Sequence, residues 1–187
     1  MRASGVTLFP LMVLGMLAGL TYWLQKAVEV SPAQRAQQRH DPDFMVEHFT
    51  VQRFDSQGLP VQFLRADKMV HFPDDDSSEL DNPRLTYFRP TGQVRVSARH
   101  AWLNKDGKEV RLNGSVVVVR EAATPTTIRT EALTAFPDDD FVRGSVPVTI
   151  IQGLRTLSAN AFEYHGDQKI GILSGHVRGI FQRKSQE

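Results

Sequence analysis

One short stretch of the chain occurs twice. Residues 71–76 read His-Phe-Pro-Asp-Asp-Asp, and residues 135–140 read Ala-Phe-Pro-Asp-Asp-Asp. The similarity continues downstream: residues 97–98 (Ser-Ala) return at 158–159, and residues 112–116 (Leu-Asn-Gly-Ser-Val) return as Leu-Ser-Gly-His-Val at 173–177. The offset falls from 64 to 61 positions, which places a small deletion between the copies. The repeat predicts one unit of roughly 60 residues used twice.

The hydrophobic pattern within the repeats has a period close to two, which is typical of β-strands. Turn residues separate the apolar runs, among them an Asp-Gly pair at 106–107 that indicates a hairpin. Gly114 and Gly175 lie at matching positions inside strands and predict bulges or close backbone approaches. The predicted strands are 49–54, 61–72, 85–88, 93–103, 109–120, 128–136, 146–151, 154–164 and 169–181. The pattern predicts an all-β sandwich or jelly roll built from two related repeats.

The amino-terminal region has a different character. Residues 6–24 contain no charged side chain and would span about 28 Å as a helix, roughly the thickness of a bilayer's hydrocarbon core. A cleaved signal peptide is the alternative, but no small-x-small cleavage site follows the run. We therefore expect a cytoplasmic head (1–5), a single transmembrane anchor (6–24), a periplasmic stalk (25–43), a β domain (44–181) and a polar tail (182–187).

Composition and motifs argue against several functions. The formal net charge is +1 with both signs mixed, whereas a nucleic-acid binder needs a basic face. The chain has no cysteine, no nucleophile elbow, no phosphate loop and no dinucleotide fingerprint. The aspartate triplets at 74–76 and 138–140 directly follow Phe-Pro at strand ends and are interpreted as turns rather than as a metal site. No enzyme activity, cofactor or metal is expected.

Several predicted strands carry bulky apolar residues at both parities, as at Phe63-Leu64 and Ile172-Leu173. This pattern fits an ordinary core with scattered exposed apolar residues. The alternative is a sandwich whose interior or open edge holds an apolar ligand, which the pattern favours less than the ordinary core. The pattern alone leaves both open.

The order of motifs resembles a known family. A short head and one anchor precede Gly58, Ala66-Asp67, the Phe-Pro-Asp-Asp-Asp strand end, the stretch Asn-Pro-Arg-Leu-Thr-Tyr-Phe at 82–88, and the repeated Leu-x-Gly-x-Val. These features together resemble the lipopolysaccharide export protein LptC family over nearly the full chain.

The resemblance implies a twisted periplasmic jelly roll, held at the inner membrane of a Gram-negative cell by one helix. Such domains stack edge to edge into a bridge that carries lipopolysaccharide toward the outer membrane. The partners implied are lipopolysaccharide, the inner-membrane ABC transporter complex of LptB, LptF and LptG, and the periplasmic bridge protein LptA. The domain would accept lipid from the transporter and pass it on by strand pairing. The alternative is a purely structural adaptor that joins the two without binding lipid.

The resemblance also implies positions for the two sites. Phe49 and Leu80 match lipid-facing positions, and the predicted ligand-binding set is Phe49, Leu64, Ala66, Leu80, Val96, Ala98, Leu112, Leu157 and Ala159. Gly153 and the last strand, 177–181, match the edge that binds the bridge protein, which gives the partner-binding set Gly153, Val177, Ile180 and Phe181. The chain departs from the family's pattern after Phe181, where its tail is short and polar.

Overall fold

A computed structural model describes residues 8–28, 40–89 and 92–181. The chain divides into two compact units, residues 1–41 and residues 42–187, which are described separately. The expected head (1–5) and tail (182–187) lie outside the described residues, as do stalk residues 29–39.

The first unit contains helix α1, Leu8–Val28. Pro10 lies in its first turn, where the missing backbone N–H is tolerated. Side chains 13–26 are all exposed, including the large apolar residues Leu14, Met16 and Trp23. Within the described ranges, no helix combines the length and apolarity that a membrane crossing requires. The transmembrane helix expected over residues 6–24 is therefore not found among the described residues.

The second unit is all-β, as predicted, and its fourteen strands form one antiparallel hydrogen-bonded network. The strands are β1 (Phe44–Phe54), β2 (Pro60–Phe72), β3 (Ser77–Asp81), β4 (Arg84–Arg89), β5 (Gly92–Ser97), β6 (His100–Leu103), β7 (Val110–Arg120), β8 (Thr126–Phe136), β9 (Phe141–Gly144), β10 (Val148–Gln152), β11 (Arg155–Ala159), β12 (Ala161–His165), β13 (Ile170–Ser174) and β14 (Arg178–Phe181).

Long strands that change partners halfway divide this network into two arms. The first half of β2 pairs with β4 and the second half with β3. Strand β7 pairs with β6 in its first half and with β5 in its second half. Strand β8 pairs with β10 in its first half and with β9 in its second half. The first arm comprises β4, β5, β10, β11 and β14 with the halves that pair with them. The second arm comprises β3, β6, β9, β12 and β13 with the remaining halves.

The bends lie at equivalent places in the two repeats. Gly114 has φ +77° and Ser115 has φ +49°, and the ladder between β7 and β8 changes register there. Gly175 and His176 repeat this geometry, at φ +72° and +48°. A Cβ on Gly114 would lie 3.0 Å from Cβ of Arg99, and one on Gly175 would lie 3.0 Å from Cβ of Asn160. The bulge predicted at Gly114 is confirmed. Gly175 marks a close backbone approach, since its carbonyl accepts from Asn160 N–H at 2.8 Å, but it lies between β13 and β14 and not inside a strand.

Three predicted strands were too long, because each turns a corner between the arms. The stretch 93–103 divides into β5 and β6, the stretch 154–164 into β11 and β12, and the stretch 169–181 into β13 and β14. Two short strands, β3 and β9, were not predicted. Strand β3 reads Ser-Ser-Glu-Leu-Asp, and this polar composition does not indicate a strand, although Ser77 and Leu80 are buried.

The core lies where the arms meet. One buried cluster contains residues of both arms. Its members from the first arm and from the bends are Ala66, Val116, Val148 and Ala159. The second-arm members are Leu80, Ala101, Leu112, Leu133 and Phe162. The two inner faces therefore pack together at the bend, as two sheets of a sandwich do.

Candidate functional site

An uninterrupted row of apolar side chains crosses the inner face of the first arm. On β2, β7, β10 and β11 it lies two residues farther from the bend than the buried core residue of the same strand. Each member pairs directly with the next, so the row passes through eight strands without a polar interruption. Its members are Val51, Leu64, Leu85, Val96, Val118, Ile128, Ile150 and Leu157. With neighbouring strands about 4.8 Å apart, the row is about 34 Å long. We call it the apolar row.

Burial decreases steadily along the inner face away from the bend. Ala66 is 1% exposed, and Leu64, two residues farther out on β2, is half-buried. On β1, Val51 at the end of the row is 51% exposed. The other seven side chains of the row are half-buried. This pattern indicates a groove that begins at the core and opens outward, rather than a sandwich filled throughout.

A second row faces it from the other arm. It consists of Val46, Met69, Leu80, Ala101, Leu112 and Leu133, again linked strand by strand. Four of its members (Leu80, Ala101, Leu112 and Leu133) are buried core residues. The second arm thus supplies the floor of the groove near the bend.

The predicted ligand-binding residues fall into two classes. Ala66, Leu80, Leu112 and Ala159 are buried in the core. Phe49, Leu64, Val96 and Ala98 are half-buried and pack against that core, and Leu157 is half-buried at the end of the apolar row. Leu64, Val96 and Leu157 therefore lie in the row itself.

Five members of the apolar row were not predicted: Val51, Leu85, Val118, Ile128 and Ile150. Alternation of apolar and polar residues marks Val51, Leu85 and Ile128 as facing one side of their strands. Val118 lies in a run of four valines and Ile150 is followed by Ile151, so alternation assigns neither to a face. The row could not be predicted because the sequence does not show the cross-strand register that aligns residues as distant as Val51 and Leu157.

Three strands have an edge without a partner among the described residues: β1, β13 and β14. Strand β1 pairs with β2 alone, β13 with β12 and β14 with β11. Their exposed apolar side chains are Phe44, Met45, Val51 and Phe54 on β1, Ile170 and Ile172 on β13, and Ile180 and Phe181 on β14. Exposed apolar edges of this kind are ready to pair with another chain.

The predicted partner-binding residues divide between an edge and a turn. Ile180 and Phe181 lie on β14, and the exposed Val177 directly precedes it. Gly153 lies elsewhere, at φ +56° in the turn between β10 and β11. Strand β11 pairs with β14 through Arg155 and Phe181, so Gly153 is one strand in from the edge.

Both aspartate triplets form turns, as predicted, between β2 and β3 and between β8 and β9. The first also takes part in a charged network. His71 contacts Asp43 through Nδ1 at 2.7 Å and Asp76 through Nε2 at 3.1 Å, and Asp76 contacts Nζ of Lys105 at 3.1 Å. Because carboxylates only accept hydrogen bonds, both contacts of His71 are hydrogen bonds only when the ring is protonated.

The network shifts pKa values in a consistent direction. The hydrogen bond to Asp43 raises the pKa of His71 above 6.5; burial opposes the rise, and the bond to Asp76 adds to it. Lys105 and then His71 lower the pKa of Asp76. The network therefore links Asp43, the residue before β1, to β2 and to the hairpin between β6 and β7.

The fold and the groove define a class of protein: a two-armed β-jelly roll with an apolar interior track and open edge strands. A family model described as "Lipopolysaccharide-assembly, LptC-related" matches residues 11–182. The chain belongs to this LptC family.

Among solved structures, the chain is similar to LptH from Pseudomonas aeruginosa. That protein is described as the LptA-homologous periplasmic component of the conserved lipopolysaccharide transport device. The TM-score is 0.56 at 11% sequence identity, with 65% of this chain and 95% of that chain covered. The likeness shows that the fold is LptA-like. No curated protein matches the sequence.

Proposed function

We propose that this protein carries lipopolysaccharide in the groove between its two arms and passes it to the next protein through a paired edge strand. The observation that carries the proposal is the apolar row, which runs through eight strands from the β1 edge to the strand beside β14. Membership of the LptC family and the LptA-like fold support it.

Hydrophobic burial is sufficient to hold the acyl chains without any covalent step. Removing a methylene group from water is worth about 0.8 kcal/mol, so a chain of about 12 carbons gains on the order of 10 kcal/mol before ordering costs. The half-buried residues of the apolar row have surface left to cover, unlike those of the core. We propose that the chain itself catalyses nothing and that a partner supplies the energy.

The repeat explains how a neighbouring domain would dock. Strands β13 and β14 correspond to β7 by the 61-residue offset, and β7 pairs along its length with β8. The outer edge of β13 and β14 therefore presents the geometry that β7 offers to β8. We propose that the bridge protein LptA adds a strand there, with main-chain hydrogen bonds joining the two sheets. On the same logic, β1 is the edge proposed for the transporter complex of LptB, LptF and LptG.

We further propose that the amino-terminal segment attaches the protein to the inner membrane, with the β domain in the periplasm. The uncharged stretch of residues 6–24 and the exposed apolar side chains of α1 support this location.

A pair of neighbouring positions on β8 tests the lipid proposal. Ile128 belongs to the apolar row and packs against the core, whereas Thr127 faces the opposite side of the same strand. A photo-crosslinking residue at Ile128 should capture lipopolysaccharide in cells with an active transporter, and the same residue at Thr127 should not. Equal capture at both positions would contradict transport through the groove.

The open edges at β1 and at β13 and β14 also suit a structural adaptor that holds two proteins together and binds no lipid. In that case a crosslinker at Ile128 would capture nothing, although the transporter and bridge protein still co-purify with the chain.

A further inference from the structure

The second aspartate triplet is not explained by the groove or by the edges. Its third residue, Asp140, is equivalent to Asp76 by the 64-residue offset, and both have a left-handed backbone, at φ +44° and +59°. Asp76 pairs with Lys105 of the hairpin between β6 and β7. The position equivalent to Lys105 in the second repeat is Gly166, which has no side chain. Gly166 donates its N–H to the backbone carbonyl of Asp140 at 2.7 Å and supplies no cation.

The cation comes from the other arm instead. Nη2 of Arg89 lies 3.8 Å from Oδ1 of Asp140, and both side chains are about half exposed. Arg89 ends β4 and shares the inner face with Leu85 and Tyr87 by strand alternation. Asp140 follows the end of β8 on the second arm. The ion pair therefore joins the outer end of one arm to the outer end of the other.

Arg89 lies beside an unusually basic rim. Two residues beyond the apolar row on each strand, a further row crosses the same strands, and we call it the rim row. Its members are Arg53, Gln62, Tyr87, Val94, Arg120, Thr126, Gln152 and Arg155. It contains three arginines and no carboxylate. Within the described part of the chain, Arg53, Arg120 and Arg155 form no ion pair within 4.0 Å, and Asp140 is the carboxylate that reaches Arg89.

The charges of two of these guanidinium groups act on one phenol. Burial raises the pKa of Tyr87, and the charges of Arg53 and Arg89 act in the opposite direction. Arg53 and Tyr87 lie in the same cross-strand row, two strands apart, and Arg89 lies two residues beyond Tyr87 on the same face. The three side chains therefore border one stretch of the groove. Together they present two forked cationic donors and one hydroxyl at the border between the apolar row and solvent.

We propose that Arg53, Tyr87 and Arg89 form a binding site for the phosphate-bearing headgroup of an acylated lipid, with Asp140 holding Arg89 until that headgroup arrives. The inference deepens the proposed function and rests on it. Guanidinium forks suit phosphate oxygens, which accept two parallel hydrogen bonds. The contact of Arg89 with Asp140 is longer than a hydrogen bond, so a phosphate can replace it readily. Replacement also releases the ion pair that links the two arm ends, which would couple headgroup recognition to opening of the groove.

The test compares two lipids on the full-length protein in detergent. The probes are bisphosphorylated lipid A and the same lipid after enzymatic removal of its phosphates, and occupancy is read from a photo-crosslinker at Ile128. Arg89→Gln should weaken binding of the phosphorylated lipid about tenfold and leave the dephosphorylated lipid unchanged. Asp140→Asn should strengthen binding of the phosphorylated lipid. Arg111→Gln, which breaks an exposed pair with Glu109 elsewhere, is the matched control and should change neither.

The outcomes separate this inference from the proposed function. Equal loss of both lipids in Arg89→Gln, with its unfolding temperature unchanged, would overturn headgroup recognition. Displacement of wild-type lipid by millimolar inorganic phosphate would assign the site to free phosphate and overturn the lipid assignment. Capture of both lipids by the wild type without any preference would overturn this inference alone, whereas capture of neither would overturn the proposed function itself.

Discussion

His71 is the residue through which pH acts most directly on the fold. Its two ring nitrogens meet the carboxylates of Asp43 and Asp76, and the pKa of His71 is raised chiefly by Asp43. A group whose pKa is higher in the folded state stabilises that state when it is protonated. The stabilisation is complete below the unfolded pKa of 6.5 and is lost as pH rises through the higher folded value.

We therefore predict that the unfolding temperature falls as the pH is raised above 6.5, and that His71→Gln removes this part of the pH dependence. Thermal unfolding across the neutral range would measure it. The matched control is His100→Gln, because Nδ1 of His100 also contacts a carboxylate, that of Asp81, at 2.9 Å. Identical pH profiles for wild type and His71→Gln would contradict the assignment.

The bend glycines make a second prediction at the same scale. Gly114→Ala combines a left-handed backbone with a Cβ 3.0 Å from Cβ of Arg99, whereas Gly107→Ala has a left-handed backbone and open space. We expect Gly107→Ala to cost about 1 kcal/mol and Gly114→Ala at least about 2 kcal/mol. Urea unfolding of both variants measures the difference, and equal costs would mean that the bend tolerates a side chain.

At the scale of elements, the sequence predicted the strands better than their partners. Period-two alternation identified β2, β7 and β8, and the repeated Leu-x-Gly-x-Val matched β7 with the stretch that forms β13 and β14. Strand β9 was missed because four residues directly after an acidic turn carry too little pattern. The apolar row could not be predicted because it depends on register between strands that lie far apart in sequence. The rim pair of Arg89 and Asp140 was missed for the same reason.

The edge strands give the prediction at this scale. Phe181→Asp places a charge on the open edge of β14, where the side chain is 67% exposed, and should weaken binding to LptA about tenfold, or ~1.4 kcal/mol. Gly153→Arg should weaken it less, because Gly153 lies one strand in from that edge. Leu154→Asp, at an apolar position in the turn that is 50% exposed, is the control. Pull-down with purified LptA is the measurement, and wild-type binding by Phe181→Asp would argue against the β14 edge.

At the scale of the whole molecule, the β domain and the amino-terminal helix are separate compact units. The domain holds its own core, because all nine buried apolar residues of the cluster belong to it. We expect the domain alone to fold, and the proposed membrane attachment to depend on the helical unit.

Replacement of residues 1–39 by a cleavable export signal should therefore release the protein into the soluble periplasmic fraction, whereas the full chain should remain with the membranes after an alkaline wash. Fractionation followed by immunoblotting measures this. Full-length protein in the soluble fraction would contradict inner-membrane attachment and leave the groove proposal intact.

The central claim is that the apolar row is a continuous track for lipid, and a crosslinking scan along it is the most direct test. Photo-crosslinking residues would replace Val51, Val96, Ile128 and Leu157 in turn, each with an outward-facing neighbour on its own strand as control. The account predicts ATP-dependent lipopolysaccharide adducts at all four positions and none at the controls. Adducts at one end of the row alone, or at none of the four in an assembled complex, would contradict it.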